Sequence, residues 1–176
     1  CTKYLEEEAL KYNDNVTDIS STFDTNRFTP VKNYDGGDKI TLGWTGSHST
    51  MPFLHLFDNV LLEVAAKREF VLRVICDVDF ELDGIEIQNI KWNGETEIDD
   101  LHKINIGLYP TPTEEWVLGK SGLKALTYQS CAIPCVVTAF GSNLENIKHE
   151  VNGMLASNHE EWVDAICKLI DSKELR

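Results

Sequence analysis

A chain of 176 residues, 42% hydrophobic and 26% charged, has an ordinary globular composition and enough length for one core-bearing domain with a short extension. Its 29 acidic against 16 basic side chains leave a formal net charge of −13, which repels nucleic-acid phosphates and anionic lipid and excludes broad electrostatic binding to either. No apolar run reaches the length of a membrane-spanning helix, and the charged N-terminus, Cys1 to Leu10, lacks a signal-peptide core.

The first 38 residues stand apart from the rest of the chain. A helix-like start over Tyr4 to Tyr12 precedes a short strand, Val16 to Ser20, and then a polar segment from Phe23 to Asp38 that contains Pro30, Gly36 and Gly37. Residues 1–38 are therefore expected to be a linking segment, and 39–176 the domain proper. Without an initiator Met, the chain is expected to be a piece of a longer protein.

From Lys39 onward strand and helix patterns alternate. Lys39 to Trp44 predicts a strand, and Phe53, Leu56, Phe57, Val60, Leu61 and Val64 recur at helical spacing. Phe70 to Cys76 is a short β-rich run suited to a buried parallel strand. Strands are expected again at Ile85 to Ile90, Asn105 to Tyr109, Pro134 to Thr138 and Gly153 to Ala156. Helices are expected at Glu97 to Lys103, Lys120 to Ser130, Asn143 to His149 behind a Ser142 N-cap, and from Ser157 or Asn158 to the end, with Trp162, Ile166, Leu169 and Ile170 inward. This alternation predicts an α/β fold with a doubly wound parallel, Rossmann-like sheet.

Of the five cysteines, Cys76, Cys131, Cys135 and Cys167 sit among apolar residues and none forms a CxxC pair. That predicts buried free thiols and a reducing, cytoplasmic compartment. The histidines fall into no zinc-ligand spacing, so no metal is expected.

Ligands of such a sheet bind beyond the C-terminal ends of its strands, which directs attention to four stretches. Gly43 to Thr50 offers Gly46 for close backbone approach to an anion, the hydroxyls of Ser47, Ser49 and Thr50, and His48; an ordinary strand-to-helix turn has the same composition. Trp116 to Lys124 carries Gly119 and Gly122 about a helix start, with Lys120 and Lys124 one helical turn apart. Two lysines there suit a pyrophosphate, though they also suit a solvated helix face. Trp92 could wall a nucleobase or simply pack, and Phe140 to Asn143 meets another helix N-terminus. Asp77-Val78-Asp79 leads into further acids and is expected to be a solvated loop rather than a metal site.

These stretches are also where the chain resembles a known family, the C-terminal domain of the family 4 (group 1) glycosyltransferases with the two-domain GT-B fold. The resemblance is carried by ITLGWTGSHST at Ile40 to Thr50, GLYP at Gly107 to Pro110 and WVLGKSGLKALTY at Trp116 to Tyr128. It continues through IPCVV at Ile133 to Val137 and VNGMLA at Val151 to Ala156. It implies retaining transfer of a sugar from a nucleotide-diphosphate donor to an acceptor hydroxyl of polysaccharide or glycolipid type, in a bacterial cytoplasmic enzyme, without a cofactor. Gly46 and Ser47 would face the donor phosphates, Lys120 and Lys124 would neutralise them as the catalytic cations, and Thr127 would sit near the ribose. The family's two motif glutamates fall at Gly119 and Thr127 here, and its usual glycine before the Pro134 strand is Ala132. The implied partners are the donor and a missing N-terminal acceptor domain, with membrane reached only through the parent protein. The departures keep a second reading open, a non-catalytic nucleotide-binding or regulatory domain of the same descent. A receiver-type signalling module would need a carboxylate cluster at the first strand, and Gly43 to Thr50 has none.

Overall fold

The computed structural model describes residues 2–30 and 39–176. Six strands form one sheet in the order β3-β2-β1-β4-β5-β6: β1 Ile40–Thr45, β2 Phe70–Cys76, β3 Glu86–Lys91, β4 Ile106–Tyr109, β5 Cys135–Thr138 and β6 Met154–Ala156. Every pairing is parallel, as the doubly wound expectation requires. The chain steps outward from β1 to β3 and returns to place β4 on the other side of β1. That reversal puts a crevice between the loops that leave the C-terminal ends of β1 and β4.

Helices cover both faces. Against one face lie α2 Met51–His55, α3 Asp58–Lys67 and α7 His159–Asp171; against the other lie α4 Glu97–Leu101, α5 Leu123–Ser130 and α6 Asn143–Asn146. β2 is buried along its whole length; Phe70, Leu72 and Val74 face α3 and α7, and Ile75 faces α4 and α5. The N-cap of α7 is Asn158, whose side chain accepts from the Glu161 amide at 3.0 Å while Glu161 accepts from the Ser157 amide, a reciprocal capping arrangement. Trp162, Ile166 and Leu169 are its buried stripe and Ile170 is half-buried. The thiols of Cys131 and Cys135 are free and buried, and burial pushes them up to about 11 and about 12. Cys76 is likewise free and buried, and Cys167 half-buried; Cys1 lies outside the described residues.

Gly43 and Gly107 are register partners in the β1–β4 pair. Together they make room for two buried side chains: a Cβ on Gly107 would stand 2.6 Å from the Tyr128 ring, and one on Gly43 2.3 Å from Ile104. Tyr128, fully buried, shares its hydroxyl proton between the carbonyls of Gly43 and Leu108 and so ties the two strands on which the crevice rests.

Several sequence expectations are corrected. The single helix expected through Phe53 to Val64 is two, because the chain turns at Leu56 and Phe57 and leaves Leu56 exposed. Val16 to Ser20 joins no strand ladder among the described residues. The first helix, α1, spans Lys3–Leu10 and packs against the 3-10 helix Glu115–Gly119. The expected polar linker lies partly outside the described residues. Its described part is docked: Phe28 stacks on Phe23 with centroids 4.5 Å apart, its carbonyl accepts from Ser130, and Arg27 pairs with Glu97 at 2.9 Å.

Candidate functional site

The crevice floor is aromatic. Trp44 ends β1 buried, and the β1 loop folds over its indole: a Cβ on Gly46 would stand 2.1 Å from that ring and 2.7 Å from Thr50 Oγ1. Glycine is therefore required here by a close approach of backbone to ring. Across the crevice Tyr109 ends β4. The Lys124 ammonium lies over both rings, 5.4 Å from the Trp44 centroid and 5.5 Å from that of Tyr109. Burial, with the nearby Lys120 charge, pulls its pKa down from 10.5 to about 8.

Lys120 reaches the same place by a different route from the one the spacing suggested. The expected helix from Lys120 to Ser130 is a correction: Lys120 is extended, with φ −85° and ψ 128°, and α5 begins only at Leu123 behind Gly122 at φ 72°. That left-handed φ favours glycine, and a Cβ there would also meet Asn146 Nδ2 at 2.7 Å. The two lysines thus do not share a helix face; the loop brings them together. Its carbonyls are held from α6, Ser142 Oγ donating to Lys120 O and Asn146 Nδ2 to Ser121 O at 3.0 Å. This explains why Ser142, expected as a side-chain N-cap of α6, makes no cap bond. The Lys120 ammonium sits 4.9 Å from the Trp116 centroid and 5.3 Å from that of Phe53. Neither lysine has a carboxylate partner among the described residues. In a chain with net charge −13, two such cations at the switch point make a local positive patch against the overall field. The first-turn amides of α5 add partial positive charge at the same edge.

The β1 loop is built more tightly than its composition shows. The Ser47 amide donates to Thr50 Oγ1 at 3.0 Å, and the Ser47 and Ser49 hydroxyls are 2.9 Å apart. The His48 amide and ring Nδ1 both bind the Asp77 carboxylate, each at 2.6 Å. Asp77, read as a solvated loop, is half exposed but clamps the neighbouring loop, and the His48 hydrogen bond holds its carboxyl down at about 2. The His48 amide and Nδ1 are therefore already engaged, and only the ring Nε2 remains for a ligand.

The other expected residues are dispersed. Trp92 stands at the end of β3, two strands from β1, with its indole N–H on Glu97 at 3.1 Å. Gly119 ends the 3-10 helix against Leu5 of α1. Thr127 lies one turn into α5 with its hydroxyl proton donated to Leu123 O at 2.9 Å.

Sequence reasoning missed Trp116 as a candidate, although a lone tryptophan in a polar loop was the available signal. It also missed two buried oxygens, Thr111 Oγ1 and Asn143 Oδ1, at the C-terminal ends of β4 and β5; neither has a hydrogen-bond partner among the described residues, an unusual condition for a buried polar atom. The buried Arg73–Asp100 pair, 2.7 Å apart between β2 and α4, was missed as well, and it serves the core rather than the crevice. Among the described residues no three His, Cys, Asp or Glu side chains gather as metal ligands, and no helix is long and apolar enough to cross a membrane.

The family model for glycosyl transferases group 1 matches residues 39–172. Among solved structures, the C-terminal domain of the group 1 family protein LpcC from Francisella tularensis is similar at TM-score 0.67 and 19% identity, over 88% of this chain and 90% of that one. A glycosyltransferase from Rickettsia africae matches at TM-score 0.70 and 14% identity, over 97% of this chain and 52% of that one. The Anabaena protein HepE, in complex with UDP, matches at TM-score 0.57 and 14% identity, over 87% of this chain and 47% of that one. The chain thus spans about half the length of the latter two. No curated protein matches it by sequence.

Proposed function

The chain belongs to the group 1 glycosyl transferases, and from that premise we propose that its crevice holds the diphosphate of a nucleotide-sugar donor for retaining transfer of the sugar to an acceptor hydroxyl. One observation carries the reading: Lys124 stands over the Trp44 and Tyr109 rings where β1 and β4 diverge, with Lys120 nearby over Trp116 and Phe53, and neither has a carboxylate partner among the described residues. In the reaction the bond from the anomeric carbon to the diphosphate oxygen breaks, its electron pair going to the diphosphate. The acceptor oxygen then bonds the anomeric carbon on the same face, and its proton leaves with the diphosphate. Fixed cations and amide dipoles aimed at the leaving group stabilise that developing charge and need no reorganisation at the moment of reaction. Lysines can supply the charge that a divalent metal would otherwise bring, so we read the site as metal-independent.

Residues 39–176 are the donor domain in this reading, and residues 1–38 link it to an acceptor domain. A polysaccharide or glycolipid acceptor, met in a bacterial cytoplasm, fits the family. The isolated chain should bind donor weakly and transfer nothing. The Thr127 hydroxyl, spent inside its own helix, favours a second reading in which the domain binds nucleotide without catalysis. Calorimetric titration with UDP, GDP and ADP, repeated on Lys120→Ala, tests the shared premise. Saturable binding of one diphosphate, weakened by the substitution, supports a donor site and names its class. No binding with the fold intact opposes it. Turnover with the matching nucleotide sugar in the full-length protein then separates the two readings.

A further inference from the structure

Phe53 and Trp116 come from opposite walls of the crevice, one following β1 and the other following β4, and they meet at its mouth. Their centroids are 5.6 Å apart at 36°. Trp116 is held on three sides: by Phe53, by the Lys120 ammonium at 4.9 Å, and by its indole N–H on the Glu114 carboxylate. Yet 46% of it stays exposed. A large aromatic ring fixed in orientation, beside an anion site and with surface left open, is a preorganised platform for a flat apolar ring face. Glu114 fixes the ring's edge, and Lys120 ties it to the phosphate position.

Position decides which ring it takes, on the premise that the crevice binds a nucleotide-sugar diphosphate. Such a donor is linear, with base and sugar at opposite ends of the diphosphate. Strands in a sheet are about 4.8 Å apart, so the end of β3, which carries Trp92, lies roughly 10 Å from β1 on one side of the lysines. Trp116 belongs to the 3-10 helix that follows β4, the strand on the other side of β1 from β2 and β3. With the base toward β3, the sugar falls at Trp116. We infer that Trp116, braced by Phe53 and Lys120, is the platform on which the C–H face of the donor's pyranose ring stacks.

The test compares a nucleoside diphosphate with its glucose ester, UDP with UDP-glucose, GDP with GDP-glucose and ADP with ADP-glucose, by calorimetry on wild type, Trp116→Ala and Trp116→Phe. Thermal melts of each variant verify folding. For the nucleotide that wild type binds, Trp116→Ala should lose roughly tenfold in affinity for the sugar ester and leave the free diphosphate within a factor of two. Trp116→Phe should recover most of the loss. Equal loss for diphosphate and ester would make Trp116 a base or phosphate contact and overturn the inference, and so would unchanged affinity for both. Failure of wild type to bind any of the six removes the diphosphate reading itself, and the inference with it.

Discussion

Replacing Lys124 with Met should move stability and ligand affinity in opposite directions. The ammonium is half-buried over two aromatic rings, and burial together with the Lys120 charge lowers its pKa from 10.5 to about 8. A lysine with a folded pKa below its unfolded value gives up its proton more readily in the native state. The charged form therefore destabilises the fold fully below about pH 8, the penalty declines as pH rises from about 8 to 10.5, and it vanishes above. The gap between 10.5 and about 8, at about 1.36 kcal/mol per pKa unit, corresponds to a full penalty on the order of 3 kcal/mol. Met keeps an unbranched stem of similar length over the rings while removing the charge. In urea unfolding near pH 6.5, Lys124→Met should therefore be more stable than wild type by roughly 2–3 kcal/mol, and the difference should fade by about pH 10.5. The same substitution removes a cation from the diphosphate, so nucleotide affinity should drop about tenfold or more. In wild type, affinity should also weaken as pH rises through about 8, and the Met variant should lack that step. Equal stabilities near neutral pH, or undiminished nucleotide binding by the variant, would refute the placement of a desolvated ammonium at the ligand site.

Three further outcomes are expected from the geometry. Ala132 is the C′ residue of a Schellman ending to α5, with φ 56°, its amide on Gln129 O at 3.0 Å and the Ile133 amide on Tyr128 O at 2.8 Å. Ala132→Gly should raise the urea midpoint by about 0.5–1 kcal/mol in stability, the left-handed strain released less the extra unfolded-state freedom of glycine. Gly107→Ala should cost about 2–3 kcal/mol by the same assay, because the new methyl would overlap the buried Tyr128 ring at 2.6 Å. Asp77 should titrate at about 2 in a carboxyl carbon-13 NMR experiment. A depressed carboxylate stabilises the native state above its ordinary 3.8 and loses that contribution as pH falls toward about 2. In His48→Ala the titration should return toward 3.8, and a midpoint unchanged in that variant would remove His48 as the cause.

The doubly wound sheet was legible because its signals are local. Short β-rich runs such as Phe70 to Cys76 alternate with helix-period stretches, and strand-to-helix turns fall between them. Legibility failed wherever conformation depends on a remote partner. Lys120 and Lys124 have the spacing of a helix face, but the break between them rests on Gly122 at positive φ and on hydrogen bonds from Ser142 and Asn146. Val16 to Ser20, expected as a strand, joins no ladder among the described residues. The His48–Asp77 clamp links residues 29 apart, and only the in-register β1–β2 pairing, Thr45 opposite Ile75, sets their loops side by side. Position at the switch point, which the sequence motif could suggest only as an edge, is what separates Lys124 over β1 and β4 from Trp92 at the end of β3.

The departures from the family pattern fall into two physical kinds, and the difference bears on function. Ala132, in place of the usual glycine, lies at the far end of α5 from the crevice and costs only backbone strain. Gly119 and Thr127 flank the lysines in sequence, Gly119 against Leu5 of α1 and Thr127 one turn into α5, and glutamates there would add two negative charges to the stretch that carries Lys120 and Lys124. Neither lysine has a carboxylate partner among the described residues, and like-charge repulsion from Lys120 helps depress Lys124. On the proposed donor reading, a site lacking those carboxylates would hold the leaving group more firmly but would offer fewer acceptors for sugar and ribose hydroxyls. An aromatic platform at Trp116 would compensate through apolar contact with the sugar face rather than hydrogen bonds to its hydroxyls. Such a site should therefore discriminate weakly among sugars that differ only in one hydroxyl's orientation, because stacking does not leave a buried polar group unpaired when the wrong epimer binds. Comparing UDP-glucose with UDP-galactose, or the corresponding pair for whichever nucleotide binds, should give affinities within about threefold, whereas a difference above a hundredfold would require hydroxyl-specific hydrogen bonds.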